Sequence, residues 1–184
     1  MYDIAELRTA TDAWWGGLAR HLREAGVEDA PDLLDRTADP QVLWRSPDLV
    51  VAQCCGYDLR LGEAPAPSLL ATPIYDVPGC DGPSYCSFLV VREEERAESL
   101  ADLRGRRAAV NMRGSHSGHN VLRFLLAEEG GAVPFFSHVV ESGGHRASLA
   151  AVRTGGADLA AIDCVTFTLV SRSASEEVKG LRIL

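Results

Sequence analysis

Between Arg106 and Cys164 the chain alternates short, almost unbroken apolar runs with helix-forming stretches, and nothing else in the sequence narrows the possible folds as much. Ala108-Ala109-Val110, Phe135 to Val140 and Ala157 to Asp163 read as strands buried on both faces. Gly118 to Glu129 reads as a helix with Val121, Leu122, Leu125 and Leu126 inward and a stop at Gly130-Gly131, and a second helix runs through Leu149 and Val152 to Gly155-Gly156. Strand, helix, strand, helix, strand with short joints is a parallel α/β unit. In such a unit the loops that follow the strands open on one edge of the sheet. The joints at Ser115, at His145 and at Asp163 therefore converge, and so do their polar side chains.

The first joint, Asn111-Met112-Arg113-Gly114-Ser115-His116-Ser117-Gly118-His119-Asn120, is a hydroxyl-rich turn that opens a helix. Helix N-termini leave backbone N–H groups unpaired and carry partial positive charge, so Ser115 to Gly118 can offer several donors to a phosphate-like or carboxylate group without a cationic side chain. The competing reading is local: Ser117 caps the helix, with Asn120 at its third position. His145, in the second glycine-rich joint Ser142-Gly143-Gly144-His145-Arg146-Ala147-Ser148, is either a tunable donor to the same anion or a cap for its own helix.

Upstream, Ile4, Leu7, Trp14, Leu18 and Leu22 predict an amphipathic helix over 4–25, opened by a capping box of Asp3 and Glu6 and stopped by Gly26. Trp14 falls on its apolar stripe, and the Trp14-Trp15 pair reads as packing. Short helical pieces are expected around Leu33-Leu34 and Leu43-Trp44. Asp48 to Gln53 reads as a buried strand that delivers Gln53, Cys54, Cys55 and Tyr57 to a site wall, and Ser68 to Tyr75 as a second apolar strand. The Gly- and Pro-rich loop Asp76 to Pro83 is the best internal boundary, dividing the chain into residues 1–78 and 79–184. Tyr85 to Arg92 is a further strand, Glu93-Glu94-Glu95 a solvated turn, and Ser99 with Asp102 caps a short helix ended by Gly105. Cys164-Val165-Thr166 opens the last helix.

The 184 residues carry a net charge of −8 and a pI near 5.1, which argues against nucleic acid as a partner. No apolar run reaches the ~20 residues needed to insert across a membrane. Met1-Tyr2-Asp3-Ile4 lacks the pattern of an export signal, so a cytoplasmic location is expected, or a periplasmic one if a leader has been removed. The cysteines at 54, 55, 80, 86 and 164 have no metal-type spacing. A reducing compartment is the simpler reading, with a Cys80–Cys86 bridge across the loop as the alternative. His116 and His119 are expected to be exposed and His138 structural. No histidine pair at helical spacing accompanies a carboxylate, so neither metal nor cofactor is expected.

Three signatures stand in order: Leu103-Arg104-Gly105-Arg106-Arg107-Ala108-Ala109-Val110, then Ser115-His116-Ser117-Gly118, then Ser142 to Val152 leading to Ala157-Asp158-Leu159-Ala160-Ala161-Ile162-Asp163. Together they resemble the phosphate/phosphonate-type substrate-binding proteins of ABC transporters, over Asp48 to Asp163 and best between Pro83 and Asp163. The resemblance implies an α/β fold of the type II periplasmic-binding kind, with two lobes on mainly parallel sheets, the first lobe incomplete. It implies a small oxyanion ligand held by Ser115, His116, Ser117 and Gly118, with His145 after the next strand, Tyr85 as an aromatic wall just past the hinge, Tyr57 as a looser aromatic match from the first lobe, and Asp163 lining the site. The family's acidic residue for a ligand amine would fall near Val165, which argues against an aminoalkyl phosphonate. An ABC permease is the implied partner, or a sensing role, with lobe closure hinged near Tyr75 to Tyr85. The chain also reads as shortened relative to that fold, and an unpaired sheet edge could then drive a homodimer. The alternative is an enzyme on the same scaffold acting on a small carboxylate or phosphate metabolite, with Ser115, His145 or Asp163 in proton transfer or Cys54 as nucleophile.

Overall fold

The computed structural model describes residues 2–61, 68–128 and 134–184. The chain divides into two compact units, Met1–Ala71 and Thr72–Leu184. The expected helix stop at Gly130-Gly131 lies outside the described residues.

The first unit is built on helix α1, Arg8–Glu24, preceded by a 3-10 turn at Ala5–Leu7. Its buried side chains are Trp15 and Ala19, while Trp14 is 66% exposed. The apolar stripe is therefore turned by one residue from the expected one, because the Trp15 indole is held by its Nε1–H donating to the Pro31 carbonyl at 3.1 Å. The expected capping box does not form either. The Asp3 carboxylate accepts instead from Arg36 Nε at 2.5 Å and from the Thr11 hydroxyl at 2.6 Å, and the guanidinium lowers its pKa to about 2. Gly26, at φ 97°, ends the helix as expected.

Helix α2, Pro40–Leu43, is capped by the Asp39 side chain on the Gln41 N–H, and helix α3 spans Gly56–Leu61. No helix forms at Leu33-Leu34. Neither Asp48–Gln53 nor Ser68–Tyr75 is a strand. An apolar run becomes a strand only when another backbone completes its ladder. These two runs pair with no strand among the described residues, and Leu69, Leu70 and Ile74 are exposed. Cys54 and Cys55 thus follow irregular chain rather than a strand end, and Tyr57 lies in α3.

The second unit holds a hairpin, β1 (Cys80–Asp81) with β2 (Ser84–Tyr85), and a five-stranded sheet. The sheet comprises β3 (Ser87–Arg92), β4 (Arg107–Val110), β5 (His138–Glu141), β6 (Leu159–Asp163) and β7 (Leu181–Ile183), in spatial order β5-β4-β6-β3-β7. β4 is parallel to β5 and β6, whereas β3 is antiparallel to both β6 and β7, so β3 alone runs against the other four. β7 closes an edge at a segment with no strand signal in its sequence. Phe135 and Phe136 precede β5 rather than belong to it; their rings meet edge to face at 5.0 Å and fill the core.

Alternation along the strands splits the core into two faces. Val91, Ala108, Val110, Leu159 and Ala161 meet Leu103, Phe135, Phe136 and Leu122, the last from helix α4 (Val121–Glu128). Val90, Ala109, Ala160 and Ile162 meet Leu149 and Val152 of helix α5 (His145–Arg153) and Val170 of helix α6 (Cys164–Ser173). Helices thus cover both faces, and the strand-helix alternation of residues 106–164 is realised in order.

At the rim where β4 and β6 begin, Asp158 is 6% exposed and receives Arg107 through Nε and Nη2 and Arg92 through Nη2. The Arg107 guanidinium beside it holds the Asp158 carboxyl far below the usual carboxylate range. This network fastens the amino ends of the sheet and leaves the opposite rim for other work.

Candidate functional site

The opposite rim begins where β4 ends. Asn111 follows directly, 5% exposed, and the chain turns at Gly114 (φ 88°) into a π-helical turn, His116–Asn120, continuous with α4. The Asn120 N–H donates to the Ser115 carbonyl at 2.9 Å, five residues back, which is what widens the turn. Ser115, not Ser117, is the cap: its hydroxyl accepts from the Gly118 N–H at 3.3 Å. Ser117 is thereby available elsewhere, and its Oγ lies 2.9 Å from Nε2 of His145.

Gly118 is required for this packing. A Cβ on it would sit 2.0 Å from Asn111 Oδ1 and 2.6 Å from its Cγ. The Asn111 amide therefore occupies the space that any other residue at 118 would fill.

The second joint is stitched to the first through backbone. Ser142 N–H donates to the Val110 carbonyl at 2.8 Å, and Gly143 N–H, at a residue with φ 90°, donates to the Asn111 carbonyl at 2.7 Å. The Ser142 hydroxyl also reaches the Val110 carbonyl at 3.1 Å and the Ser148 hydroxyl at 2.7 Å. Gly144 occupies the cap position of α5, which leaves His145 as its first residue, free of the capping task and facing Ser117.

At the third joint Asp163, 3% exposed, caps α6 by accepting the Thr166 N–H at 2.8 Å. Its neighbour across the antiparallel ladder is Ser87. Burial lowers the His145 pKa, opposed by the Asp163 charge and by the Ala161 carbonyl. The imidazole is therefore biased toward neutrality in a place where added negative charge would favour its protonation.

Three buried side-chain atoms have no hydrogen-bond partner of good geometry among the described residues: Ser87 Oγ, Asn111 Oδ1 and His145 Nδ1. All three residues belong to this rim, at the start of β3 beside Asp163, at the end of β4 and at the start of α5. A buried polar group without a partner costs roughly 1–3 kcal/mol, so their concentration at one rim marks it as different from the rest of the core.

Of the residues expected in a site, Ser115, Ser117, Gly118, His145 and Asp163 are thus placed along one sheet edge. His116 belongs to the same turn with its side chain exposed. Tyr85, half-buried in β2, stands two residues before Ser87. Tyr57 belongs to the first unit and is described only there. His119 is half-buried rather than exposed, its Nδ1 accepting the Gly114 N–H at 3.2 Å, and burial lowers its pKa. His138, expected to be structural, is exposed on edge strand β5. Sequence reasoning did not single out Ser87 and Asn111 as rim residues; each is a lone polar residue at the rim end of an apolar strand, which is the signal that could have found them.

A family profile described as the periplasmic substrate-binding protein of phosphonate ABC transporters matches residues 61–184. The chain belongs to this family. The match takes in the whole sheet and every rim residue above, and it bears out the resemblance carried by the Leu103, Ser115 and Ser142 signatures. No curated protein matches the chain. Among solved structures, PhnD1 from Prochlorococcus marinus in complex with methylphosphonate is 23% identical, with 53% of this chain and 39% of that chain covered and a TM-score of 0.49. A binding protein component of an ABC phosphonate transporter from Pseudomonas aeruginosa is 18% identical, over 53% of this chain and 34% of that chain, at a TM-score of 0.47. The periplasmic aliphatic sulphonate binding protein SsuA from Escherichia coli is 26% identical, over 54% and 31%, at 0.42. This member of the phosphonate-binding family thus spans well under half the length of the solved proteins it matches.

Proposed function

We propose that the chain binds a small oxyanion of the phosphonate or phosphate class at the rim formed by Asn111, the turn 115–118, His145 and Asp163, as the non-catalytic solute-binding component of a periplasmic ABC transport system. The observation that carries this reading is the 2.9 Å contact between Ser117 Oγ and His145 Nε2, which joins two separate strand-to-helix joints at a helix N-terminus. Donors at such a terminus meet an anion without desolvating a cationic side chain.

The contact also sets the proton logic. Ser117 has one hydroxyl proton and can give it either to His145 or to a guest. With Nε2 protonated, His145 donates to Ser117 Oγ and the hydroxyl turns to the anion. A guest adds its charge to that of Asp163 in raising the His145 pKa, which burial alone lowers. Affinity therefore rises as pH falls and His145 takes up its proton, a step that burial holds below the ordinary histidine range until a guest's charge opposes it.

The test is a thermal-shift and calorimetric panel of phosphate, methylphosphonate, alkyl sulfonates and small carboxylates at about pH 6 and about pH 8. A ligand at 100 times its Kd should stabilise the protein by about 2.7 kcal/mol. Phosphonate or phosphate should bind more tightly at the lower pH, Ser117→Ala should abolish the shift, and His145→Gln should flatten its pH dependence. No shift with any oxyanion, or full retention in Ser117→Ala, would overturn the proposal.

A further inference from the structure

Three of the five cysteines converge beside the rim without belonging to the anion cradle. Cys80 lies in β1, Cys86 joins β2 to β3, and Cys164 is the first residue of α6. The Cys80 and Cys164 sulfurs are 3.7 Å apart, and Cys86 is close enough to Cys164 for that thiol to add to the burial that raises its own pKa. The backbone holds this arrangement: the Cys164 N–H donates to the Cys86 carbonyl at 3.1 Å, extending the β3–β6 ladder past Ser87 and Asp163, and the Cys86 N–H donates to the Gly79 carbonyl at 3.0 Å. Gly79 (φ 87°) lies directly over the cluster, since a Cβ there would stand 2.7 Å from Cys86 Sγ and 2.9 Å from Cys164 Cβ. The alternative reading of the sequence pairs Cys80 with Cys86, whereas the sulfur nearest Cys80 by hydrogen-bond geometry is that of Cys164. Among the described residues no group of three or more His, Cys, Asp or Glu side chains is arranged to hold a metal ion, so a thiolate metal site does not account for the cluster.

We propose that Cys80 and Cys164 are a disulfide-forming pair and that exposed Cys86 is the thiol through which oxidation enters, the finished bond fastening the β1–β2 hairpin to the first turn of α6. All three thiols are free in the reduced chain, Cys164 is fully buried and Cys86 is exposed. A low-molecular-weight disulfide such as oxidised glutathione supplies the oxidising equivalents. The Cys86 thiolate attacks it, forming a mixed disulfide and releasing one glutathione thiolate. The Cys164 thiolate attacks the Cys86 sulfur, forming the Cys86–Cys164 bond and releasing the second glutathione. The Cys80 thiolate then attacks the Cys164 sulfur, forming Cys80–Cys164 and returning Cys86 as a thiol. In sum two cysteine thiols lose two electrons and two protons, and both end on the two glutathione thiols. Burial pushes the Cys80 thiol up to about 11 and raises Cys86 as well, so exchange is slow at neutral pH and quickens as pH rises. The bond holds β2, which carries Tyr85, against the residue that follows Asp163.

The test is peptide mapping by mass spectrometry of the whole chain after equilibration with oxidised glutathione and trapping of remaining thiols by alkylation. An intrachain Cys80–Cys164 peptide with Cys86 alkylated is the expected result. Cys86→Ser should slow its appearance, and Cys80→Ser should leave the bond at Cys86–Cys164. Complete alkylation of both Cys80 and Cys164 in the wild-type chain, or a dominant Cys80–Cys86 or Cys86–Cys164 bond there, would overturn the assignment. The wild-type arms decide the matter even if a variant at the buried Cys164 fails to fold.

Discussion

Gly118→Ala is the smallest change that tests how the proposed anion cradle is built. The added Cβ would lie 2.0 Å from Asn111 Oδ1, 2.6 Å from Cγ and 3.2 Å from Nδ2. Asn111 is 5% exposed and its backbone carbonyl is held by the Gly143 N–H, so the amide has little room to retreat. Overpacking of this kind costs about 1–3 kcal/mol. Replacing a helical glycine by alanine contributes about 0.5–1 kcal/mol the other way. The net expectation is a loss of about 1–2 kcal/mol, or a few degrees in Tm. Chemical denaturation followed by far-UV circular dichroism measures it, and a cycle with Asn111→Ala isolates its cause. Removing the amide should relieve the clash, so the double variant should recover stability by a coupling of about 1 kcal/mol or more. A Gly118→Ala protein as stable as the wild type, or single effects that add within about 0.5 kcal/mol, would refute the claim that Asn111 and Gly118 occupy one another's space.

Asp158→Asn should destabilise the second unit by about 2–3 kcal/mol, since it leaves Arg92 and Arg107 without their shared buried charge, partly offset by the exposure of Arg107. The folded-state pKa of Asp158 is depressed, so its contribution is present above the unfolded value of about 3.9 and is lost as pH falls through the folded one. Acid denaturation curves should accordingly be shallower for the variant, and equal slopes would contradict the network's role. In the first unit Trp15→Ala should cost about 3–5 kcal/mol in chemical denaturation followed by far-UV circular dichroism, and Trp14→Ala within about 0.5 kcal/mol. Equal losses at the two positions would show that the indole contact with Pro31 does not orient α1.

The sheet was legible where the chain supplies its own partners. β4, β5 and β6 are apolar, short and separated by helix signals, and each finds its neighbour within the same stretch, so periodicity and topology agree. The same periodicity failed at Asp48–Gln53 and Ser68–Tyr75, because apolar character specifies burial only when a second backbone is there to complete the ladder. Trp14 and Trp15 differ by one position on a helical wheel, and the choice between them was made by a carbonyl sixteen residues away, at Pro31. At the site, Ser115 and Ser117 could exchange roles on sequence grounds, since either suits a cap. The π-helical turn decides between them by placing one hydroxyl on the Gly118 N–H and the other on His145. Asn111 and Ser87 escaped notice for a different reason. Their place as lone polar residues at the rim ends of apolar strands is visible in the sequence, but that Ser87 Oγ and Asn111 Oδ1 lack hydrogen-bond partners is not.

β6 is flanked by two buried aspartates that the fold treats in opposite ways. Asp158, just before its first residue, is neutralised by two guanidinium groups. Asp163, its last residue, is turned to the Thr166 N–H at the start of α6, where the helix dipole favours negative charge. The arginines near that rim are likewise engaged, Arg113 with Glu141 and Arg146 with Glu177. The charge of Asp158 is thus met by counter-ions, and that of Asp163 by the oriented backbone at the start of α6. The distinction matters for a guest: an arginine beside Asp163 would be drawn to that carboxylate before any ligand arrived, and an anion would have to displace it. Backbone N–H groups and a serine hydroxyl cannot collapse in that way, because the turn that aims them is fixed by Gly114, the Asn111–Gly118 contact and the Ser115 cap. The acidic balance of the whole chain, which at first sight disfavours binding of an anion, is therefore compatible with the proposed cradle, whose donors are dipoles held in place by packing.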